Sequence, residues 1–176
     1  MKRTSILSLL ILGAVLTYAK AGTPDMSTVP HVDLSRYMGR WYVISHLPNF
    51  LEKGKVGTSD NYFPRPDGTM LDVFIFHRDS LDAPEKQWSG PAWVVNTQTD
   101  AEWKVRLFWP LVASYRVLDL DPGYQWVAVS NDSGSLLWVM SRAPTLNDST
   151  YQEIVQRLAR RGLETAKLEK VLQVTP

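Results

Sequence analysis

Met38-Gly39-Arg40-Trp41-Tyr42 is the stretch that decides the fold, and Trp138-Val139-Met140-Ser141-Arg142 answers it about a hundred residues later. Gly39 allows the backbone to turn sharply, and Trp41 is broad enough to seal one end of a small β-barrel. Arg142 can stack on that indole, and cation–π stacking contributes about 0.5 to 2 kcal/mol. The two stretches therefore predict a barrel with Gly39, Trp41 and Arg142 as its structural floor.

The length of the chain, 176 residues with 44% apolar content, suits one domain with one core. Its start has a basic pair, Lys2-Arg3, an apolar run over 6–16 and the small-x-small site Ala19-Lys20-Ala21, which together predict a signal peptide over 1–21. An apolar run of about eleven residues is too short for a bilayer, which needs about 20. We expect an exported protein, with an N-terminal arm over 22–31 and a barrel domain over 32–176.

The composition narrows the class of protein further. The sequence has no cysteine, which favours the bacterial periplasm over a eukaryotic secretory route, where small domains usually carry disulfides. Without the leader, 16 basic and 18 acidic residues remain, so nothing suggests nucleic-acid binding. His31, His46 and His77 lack the spacing of metal ligands, and no nucleophile or phosphate-binding motif occurs. We expect no metal, no cofactor and no enzyme.

Short β-rich runs separated by Gly, Pro, Asn and Asp follow one another from Trp41 to Arg142. Tight-turn sequences at 65–68, 121–123 and 131–134 make successive strands antiparallel. Eight strands in an up-and-down order match a barrel that holds one small ligand. The predicted strands are about 40–47, 56–63, 69–78, 87–95, 103–109, 114–120, 124–130 and 136–142.

After Pro144 the apolar period changes from that of a strand to that of a helix. Tyr151, Ile154 and Leu158 form one apolar stripe, which predicts a helix over about 147–161. A final strand is predicted over about 168–174. Because a helix with one apolar stripe cannot lie inside the barrel, we expect it on the outer wall. The predicted fold is all-β with one C-terminal helix.

Three motifs occur in order, namely Gly39-x-Trp41-Tyr42, Val117-Leu118-Asp119-Leu120-Asp121 and Trp138-x-x-x-Arg142-x-Pro144. Through them the chain resembles a lipocalin from about Val32 to Val174, most of all the bacterial lipocalin and apolipoprotein D-like branch. The resemblance implies binding and transport of hydrophobic molecules, for this branch fatty acids or lysophospholipids, in envelope lipid traffic or membrane maintenance. Bacterial members commonly carry a lipobox cysteine. This sequence has none, so we expect any association with the outer membrane to occur without that anchor.

The alternation of side chains along strands, in the pleat phase of the family, assigns the barrel interior. An aromatic lining suits acyl chains or flat hydrophobes, although the same rings could fill the barrel solidly. Tyr62 and Trp138 are the foremost candidates for ligand contact. The expected ligand contacts are Tyr62, Phe74, Phe76, Trp88, Val94, Leu107, Trp109, Tyr115, Trp126, Leu136, Trp138 and Met140. Ala128 is also assigned to the interior.

Asp60 and Asp72 belong to neighbouring strands and would lie nearly opposite each other inside the barrel. Burial and like charge would raise the pKa of such a pair, unless solvent or a cation satisfies it or a strand is out of phase. If both face inward, we expect a fatty acid to enter tail first, because the pair would repel its head group.

The open end of the barrel is predicted to carry apolar loops. Phe50, Leu51 and Leu111, with Trp109, are expected at the mouth, where they could contact a membrane or fold into the opening. Lys53 and Lys55 would lie close by and could meet anionic head groups. Besides a lipid carrier, two functions stay open: a lipocalin-type enzyme acting on a lipid or isoprenoid, and a solid-core barrel serving as a protein-interaction module.

Overall fold

The computed structural model describes residues 22–174, so the expected signal peptide over 1–21 lies outside the described residues. The chain forms a closed antiparallel β-barrel of eight strands with one long helix beside it, which confirms the predicted fold. The barrel closes through the first strand, which pairs with the second and the eighth. The strands are β1 Gly39–His46, β2 Lys55–Pro64, β3 Met70–Arg78, β4 Lys86–Val94, β5 Glu102–Phe108, β6 Leu111–Leu120, β7 Trp126–Ser130 and β8 Leu137–Ser141.

Four shorter or peripheral elements complete the chain. Helix α1, Leu34–Tyr37, precedes β1, and helix α2, Asp148–Arg160, follows β8. A 3₁₀ turn over Thr165–Lys167 leads to β9, Glu169–Lys170, which pairs with the end of β1. The final strand is thus two residues long where 168–174 was expected. It pairs with the edge of β1 opposite β8, where β2 already pairs with Gly39–Tyr42, so only Ser45 and His46 pair with it.

The floor of the barrel lies where β1 begins. The Arg142 guanidinium carbon is 3.7 Å from the centre of the Trp41 ring, and the Trp41 indole N–H donates to the carbonyl of Tyr37 at 2.8 Å. Gly39 has a φ of +91°, a conformation that favours glycine. Arg142 also donates to three backbone carbonyls, those of Arg36, Tyr37 and Arg40.

The half of the barrel next to this floor is packed with rings, which we call the aromatic layer. The Trp103 and Tyr115 rings stack at 4.9 Å with 7° between their planes. The Tyr37 ring lies 5.0 Å from that of Trp41, and the Tyr37 and Tyr115 hydroxyls are 2.6 Å apart. The aromatic layer consists of Tyr37, Trp41, Tyr62, Trp103 and Tyr115. The expectation of a solidly filled interior therefore applies to this half only.

Helix α2 lies on the outer wall, as predicted. It begins after Asn147, whose side chain accepts a hydrogen bond from the Ser149 amide at 2.9 Å. Tyr151, Ile154 and Leu158 are its buried residues. They pack against outward side chains of the barrel: Ile44, Leu47, Leu118, Trp126, Ala128, Leu137 and Val139. The interior is therefore left to the strands.

The prediction for β7 was wrong by one residue. Trp126 and Ala128 were assigned to the interior, but both belong to the outer cluster under α2, and Val127 and Val129 face inward. All five residues of β7 are buried, so its sequence carries no alternation between polar and apolar positions. The β6–β7 register also shifts between Val117 and Asp119, so the inward and outward positions of β7 cannot be inferred from those of β6.

Candidate functional site

Beyond the aromatic layer the barrel contains a small cavity of about 80 Å³, which we call the inner chamber. A larger cavity of about 520 Å³, the mouth chamber, lies at the open end and is lined by Phe50, Leu51, Trp88, Ser89 and Leu107. The last four of these residues also line the inner chamber, so the two chambers adjoin. Together they form a path from the mouth into the barrel.

Seven of the twelve expected ligand contacts line the inner chamber: Tyr62, Phe74, Trp88, Leu107, Tyr115, Leu136 and Trp138. Phe76, Val94 and Met140 face the interior but are not part of the chamber wall. Phe76 is covered by the rings of Phe74 and Trp88, at 5.5 and 5.1 Å, and Val94 and Met140 lie in the core cluster. These three are therefore packing residues of the barrel.

Two of the expected contacts lie outside the cavity. Trp126 belongs to the cluster under α2. Trp109 is 84% exposed, because Phe108 pairs with Leu111 and leaves Trp109 and Pro110 as the tip of the β5–β6 hairpin. The predicted strand had continued to Trp109. Among the expected mouth residues, Phe50 is 65% and Leu111 is 37% exposed, whereas Leu51 is buried on the wall of both chambers.

Three carboxylates, those of Glu52, Asp60 and Asp72, line the inner chamber. Asp60 pairs in register with Phe74, and Asp72 pairs with Tyr62, so the two aspartates lie diagonally on one face of the β2–β3 ladder. Asp72 Oδ1 has no hydrogen-bond partner among residues 22–174. The condition that both aspartates face inward is thus met, and in that part of the chain no arginine forms an ion pair with either of them.

Burial alters the proton affinity of this pair. It raises the pKa of Asp60 well above its usual range, and the neighbouring carboxyls of Asp72 and Glu52 act in the same direction. Burial also raises the pKa of Asp72 to about 7. Because two carboxylates this close share their titration, the pair holds at least one proton around neutral pH when no cation is near.

Glu52, which the sequence analysis missed, comes from the loop between β1 and β2 and is only 4% exposed. Its Oε1 accepts a hydrogen bond from the Trp138 indole at 2.9 Å, and its Oε2 has no partner among the described residues. Burial raises the pKa of Glu52, while His46, Trp138, Lys55 and Thr58 act against the rise. A glutamate beside Lys53 in a mouth loop has the pattern of a solvated residue, so no signal in the sequence indicates its burial.

Lys55 was expected at the membrane-facing rim, but it turns inward and is 7% exposed. Its amine donates to the Leu51 carbonyl and lies 4.5 Å from the centre of a Trp88 ring and 5.1 Å from that of Phe76. Burial lowers the pKa of Lys55, and the nearby Glu52 opposes this effect. The mouth therefore already accommodates one ammonium group on an aromatic face.

Comparison with known proteins agrees with this geometry. The family model described as a lipocalin-like domain matches residues 32–173. The chain belongs to the lipocalin family. This lipocalin is 32% identical to the outer membrane lipoprotein Blc of Vibrio cholerae over 168 residues, which cover 93% of the chain and 96% of that relative.

Two further comparisons bear on branch and fold. Apolipoprotein D of Bos taurus is 26% identical over 161 residues, 86% of this lipocalin and 82% of the relative. The predicted bacterial lipocalin and apolipoprotein D-like branch is thereby confirmed. The crystal structure of the cockroach allergen Per a 4 has a TM-score of 0.65 at 21% identity, over 86% of this lipocalin and 96% of that chain, and shares its fold.

Two further features concern residues 22–174 of the lipocalin. In this part of the chain no group of three or more His, Asp or Glu side chains is arranged to hold a metal ion. None of the helices there is long and apolar enough to cross a bilayer.

Proposed function

We propose that this lipocalin binds and carries hydrophobic molecules with an acyl chain, such as fatty acids or lysophospholipids, in the cell envelope. The observation that carries the proposal is the apolar mouth chamber of about 520 Å³, continued by the inner chamber. Its volume falls in the range of about 300 to 1,000 Å³ that is usual for small-molecule sites. The likeness to Blc, which is named an outer membrane lipoprotein, and the predicted signal peptide support a location in the envelope or periplasm.

The expected affinity is moderate. Ten methylene groups contribute about 8 kcal/mol when buried, before association costs of roughly 4 kcal/mol or more. Contacts with the Phe74, Trp88 and Trp138 rings add to this, since these rings line the chamber. Dissociation within seconds or less suits a carrier that must release its cargo.

A fatty acid is proposed to bind with its carboxylate toward the mouth. Asp60, Asp72 and Glu52 line the inner chamber, where an anionic head group would meet like charge. The hydrocarbon then occupies the mouth chamber with its end at Tyr62 or Trp138. These two residues, together with Phe74, Trp88, Leu107, Tyr115 and Leu136, are the proposed ligand contacts.

The rim of the mouth is proposed to touch the membrane surface from which a lipid would be taken. Phe50 and Trp109 are the most exposed apolar residues there, and Val112 is 40% exposed. Lys53 is exposed beside them and can meet anionic head groups. Sedimentation with anionic vesicles tests this: a Phe50→Asp, Trp109→Asp variant should stay in the supernatant, and sedimentation equal to wild type would contradict the contact.

Native mass spectrometry of the purified protein, with lipid extraction and a tryptophan fluorescence titration, tests the proposed function. We expect a copurified lipid that leaves on extraction, and quenching that saturates when a fatty acid is added back. No copurified lipid and no saturable quenching would contradict the carrier and favour an interaction module. The inward Asp60 and Asp72 keep a lipid-directed enzyme as the second candidate, and conversion of the added lipid to a product would identify it.

A further inference from the structure

The inner chamber combines an apolar barrel with an excess of acidic groups. Three carboxylates line it, and within residues 22–174 none of them forms an ion pair with a lysine, arginine or histidine. Lys55 is already engaged by the Leu51 carbonyl and the Trp88 ring. The carboxylates of Asp60 and Asp72 therefore lack a cationic partner within this part of the protein.

Two acceptor atoms at this place are buried without a hydrogen bond, namely Glu52 Oε2 and Asp72 Oδ1. Glu52 is more than nine-tenths buried and is aimed into the chamber that Asp72 also lines. A buried acceptor left without a donor costs free energy, more so when it is charged. The chamber thus presents acceptors to which a donor of positive charge would be complementary.

The sizes of the two chambers indicate which part of an amphiphilic ligand each of them can hold. The inner chamber, at about 80 Å³, is smaller than a cavity that holds benzene, which is about 150 Å³. It has room for a compact head group rather than a folded chain. The mouth chamber, at about 520 Å³, has room for the hydrocarbon.

We propose that this lipocalin prefers amphiphiles with a primary ammonium head, which enter head first and place the ammonium between Asp60, Asp72 and Glu52. This preference rests on the proposed function and names the class of hydrophobic ligand that the site favours. An ammonium offers three N–H donors, which match acceptors of the three carboxylates. The Tyr62 ring on the same wall adds attraction for a cation. The orientation is opposite to that of a fatty acid.

The titratable and charged groups around this position come from several elements. Asp60, Tyr62 and Lys55 lie on β2, Asp72 on β3 and Tyr115 on β6, while Glu52 lies in the β1–β2 loop and His46 at the end of β1. Tyr37 of α1 and Arg106 of β5 complete the set, and the Arg106 guanidinium lies 5.9 Å from the centre of the Trp93 ring. Burial raises the pKa of Tyr62 and of Tyr115 well above the usual range, so both hydroxyls stay neutral near pH 7. The carboxyls lose protons as pH rises from about 5 to about 8, which makes ammonium binding stronger.

Calorimetric titration with decylamine, decanol and decanoate tests the preference, because the three probes share one chain and differ in head charge. For the wild-type protein near pH 8, we expect decylamine to bind about tenfold to hundredfold more tightly than decanol, the effect of one charge-assisted hydrogen bond. Decanoate should bind more weakly than decylamine by at least the same factor. Equal affinities for amine and alcohol, or a preference for decanoate, would overturn the proposal.

Substitutions test whether the chamber carboxylates cause the preference for decylamine over decanol. In the Asp60→Asn, Asp72→Asn variant, and separately in Glu52→Gln, the ratio of decylamine to decanol affinity should fall about tenfold or more. Asp82→Asn, which removes an exposed carboxylate of the β3–β4 loop at the mouth end, should keep the wild-type ratio. A ratio unchanged in both chamber variants would overturn the assigned site.

The pH dependence of binding to the wild-type protein is a second test, and it does not depend on whether a variant folds. Its decylamine-to-decanol ratio should fall as pH decreases from about 8 to about 5, because the amine stays charged while the carboxyls take up protons. A ratio independent of pH would contradict the proposal. If decanol binds and the amine has no advantage, only this inference fails; if none of the three probes binds, the proposed function fails as well.

Discussion

Arg142 holds the floor of the barrel through one ring and three backbone carbonyls. It stacks 3.7 Å from the Trp41 ring centre and donates to carbonyls of α1 and of the start of β1. Burial lowers the pKa of Arg142, but an arginine remains charged at neutral pH. Since the aromatic layer separates it from the inner chamber, its role is structural.

Replacing Arg142 with alanine should lower the free energy of unfolding by about 1 to 3 kcal/mol, measured by urea denaturation. Arg142→Lys should fall between the two proteins, because an ammonium keeps the cation–π contact but cannot span the three carbonyls. Both variants should still bind ligand below their unfolding transition. An Arg142→Ala protein as stable as wild type that has lost ligand binding would place Arg142 in the site instead.

Asp60 and Asp72 make the stability of the unliganded protein depend on pH. Their pKa values are raised in the folded state, for Asp72 to about 7, so between about pH 4 and pH 7 the folded chain binds more protons than the unfolded chain. Stability should therefore fall by about 4 kcal/mol as pH rises through this window, since each pH unit contributes about 1.4 kcal/mol for one extra bound proton. In Asp60→Asn, Asp72→Asn the fall should be smaller, as measured by urea unfolding at each pH. The same fall in both proteins would contradict the account.

At the scale of elements, the periodicity of apolar residues and the turn sequences were enough to predict the helix, the eight strands and most of the inward side chains. Helix α2 spans Asp148–Arg160 where about 147–161 was expected, since Asn147 and Gly162 mark its ends. The eight strands and their antiparallel order follow from the Gly, Pro and Asp turns. Seven of the twelve expected contacts line the chamber because alternation holds along β2, β3, β4, β5, β6 and the start of β8.

The features that the sequence did not predict depend on tertiary contacts, which a local sequence pattern does not reveal. β7 is apolar on both faces because α2 covers its outer side, so its phase was assigned wrongly at Trp126. Glu52 and Lys55 are polar residues in a loop and at a strand end, yet the loop folds over the mouth and buries both. Trp109 was placed in a strand that ends one residue earlier.

Two tryptophans on neighbouring strands test the corrected phase of β7. Trp138 lines the inner chamber, whereas Trp126 lies under α2 on the other side of the wall. Trp126→Phe should keep the full ligand-dependent change in tryptophan fluorescence, and Trp138→Phe should lose part of it. Each variant lacks one indole and so controls for the other. Loss of the ligand signal in Trp126→Phe alone would restore the original assignment.

The whole molecule has a packed end and an open end. Arg142, Trp41 and the aromatic layer close one half, and the acidic inner chamber and the apolar mouth chamber occupy the other. Helix α2 stabilises the barrel from outside without entering it. This division lets one part of the chain provide stability while another stays available for a ligand.

Binding of a neutral chain inside the barrel is the central claim, and titration calorimetry with decanol on a matched pair of variants tests it most directly. Ala113 lines the inner chamber, and its neighbour Val112 points outward on the same strand. Wild type and Val112→Trp should bind one decanol per chain, and Ala113→Trp should bind at least about tenfold more weakly, because its indole fills the chamber. No saturable binding to wild type, or equal binding by Ala113→Trp, would contradict a ligand inside the barrel.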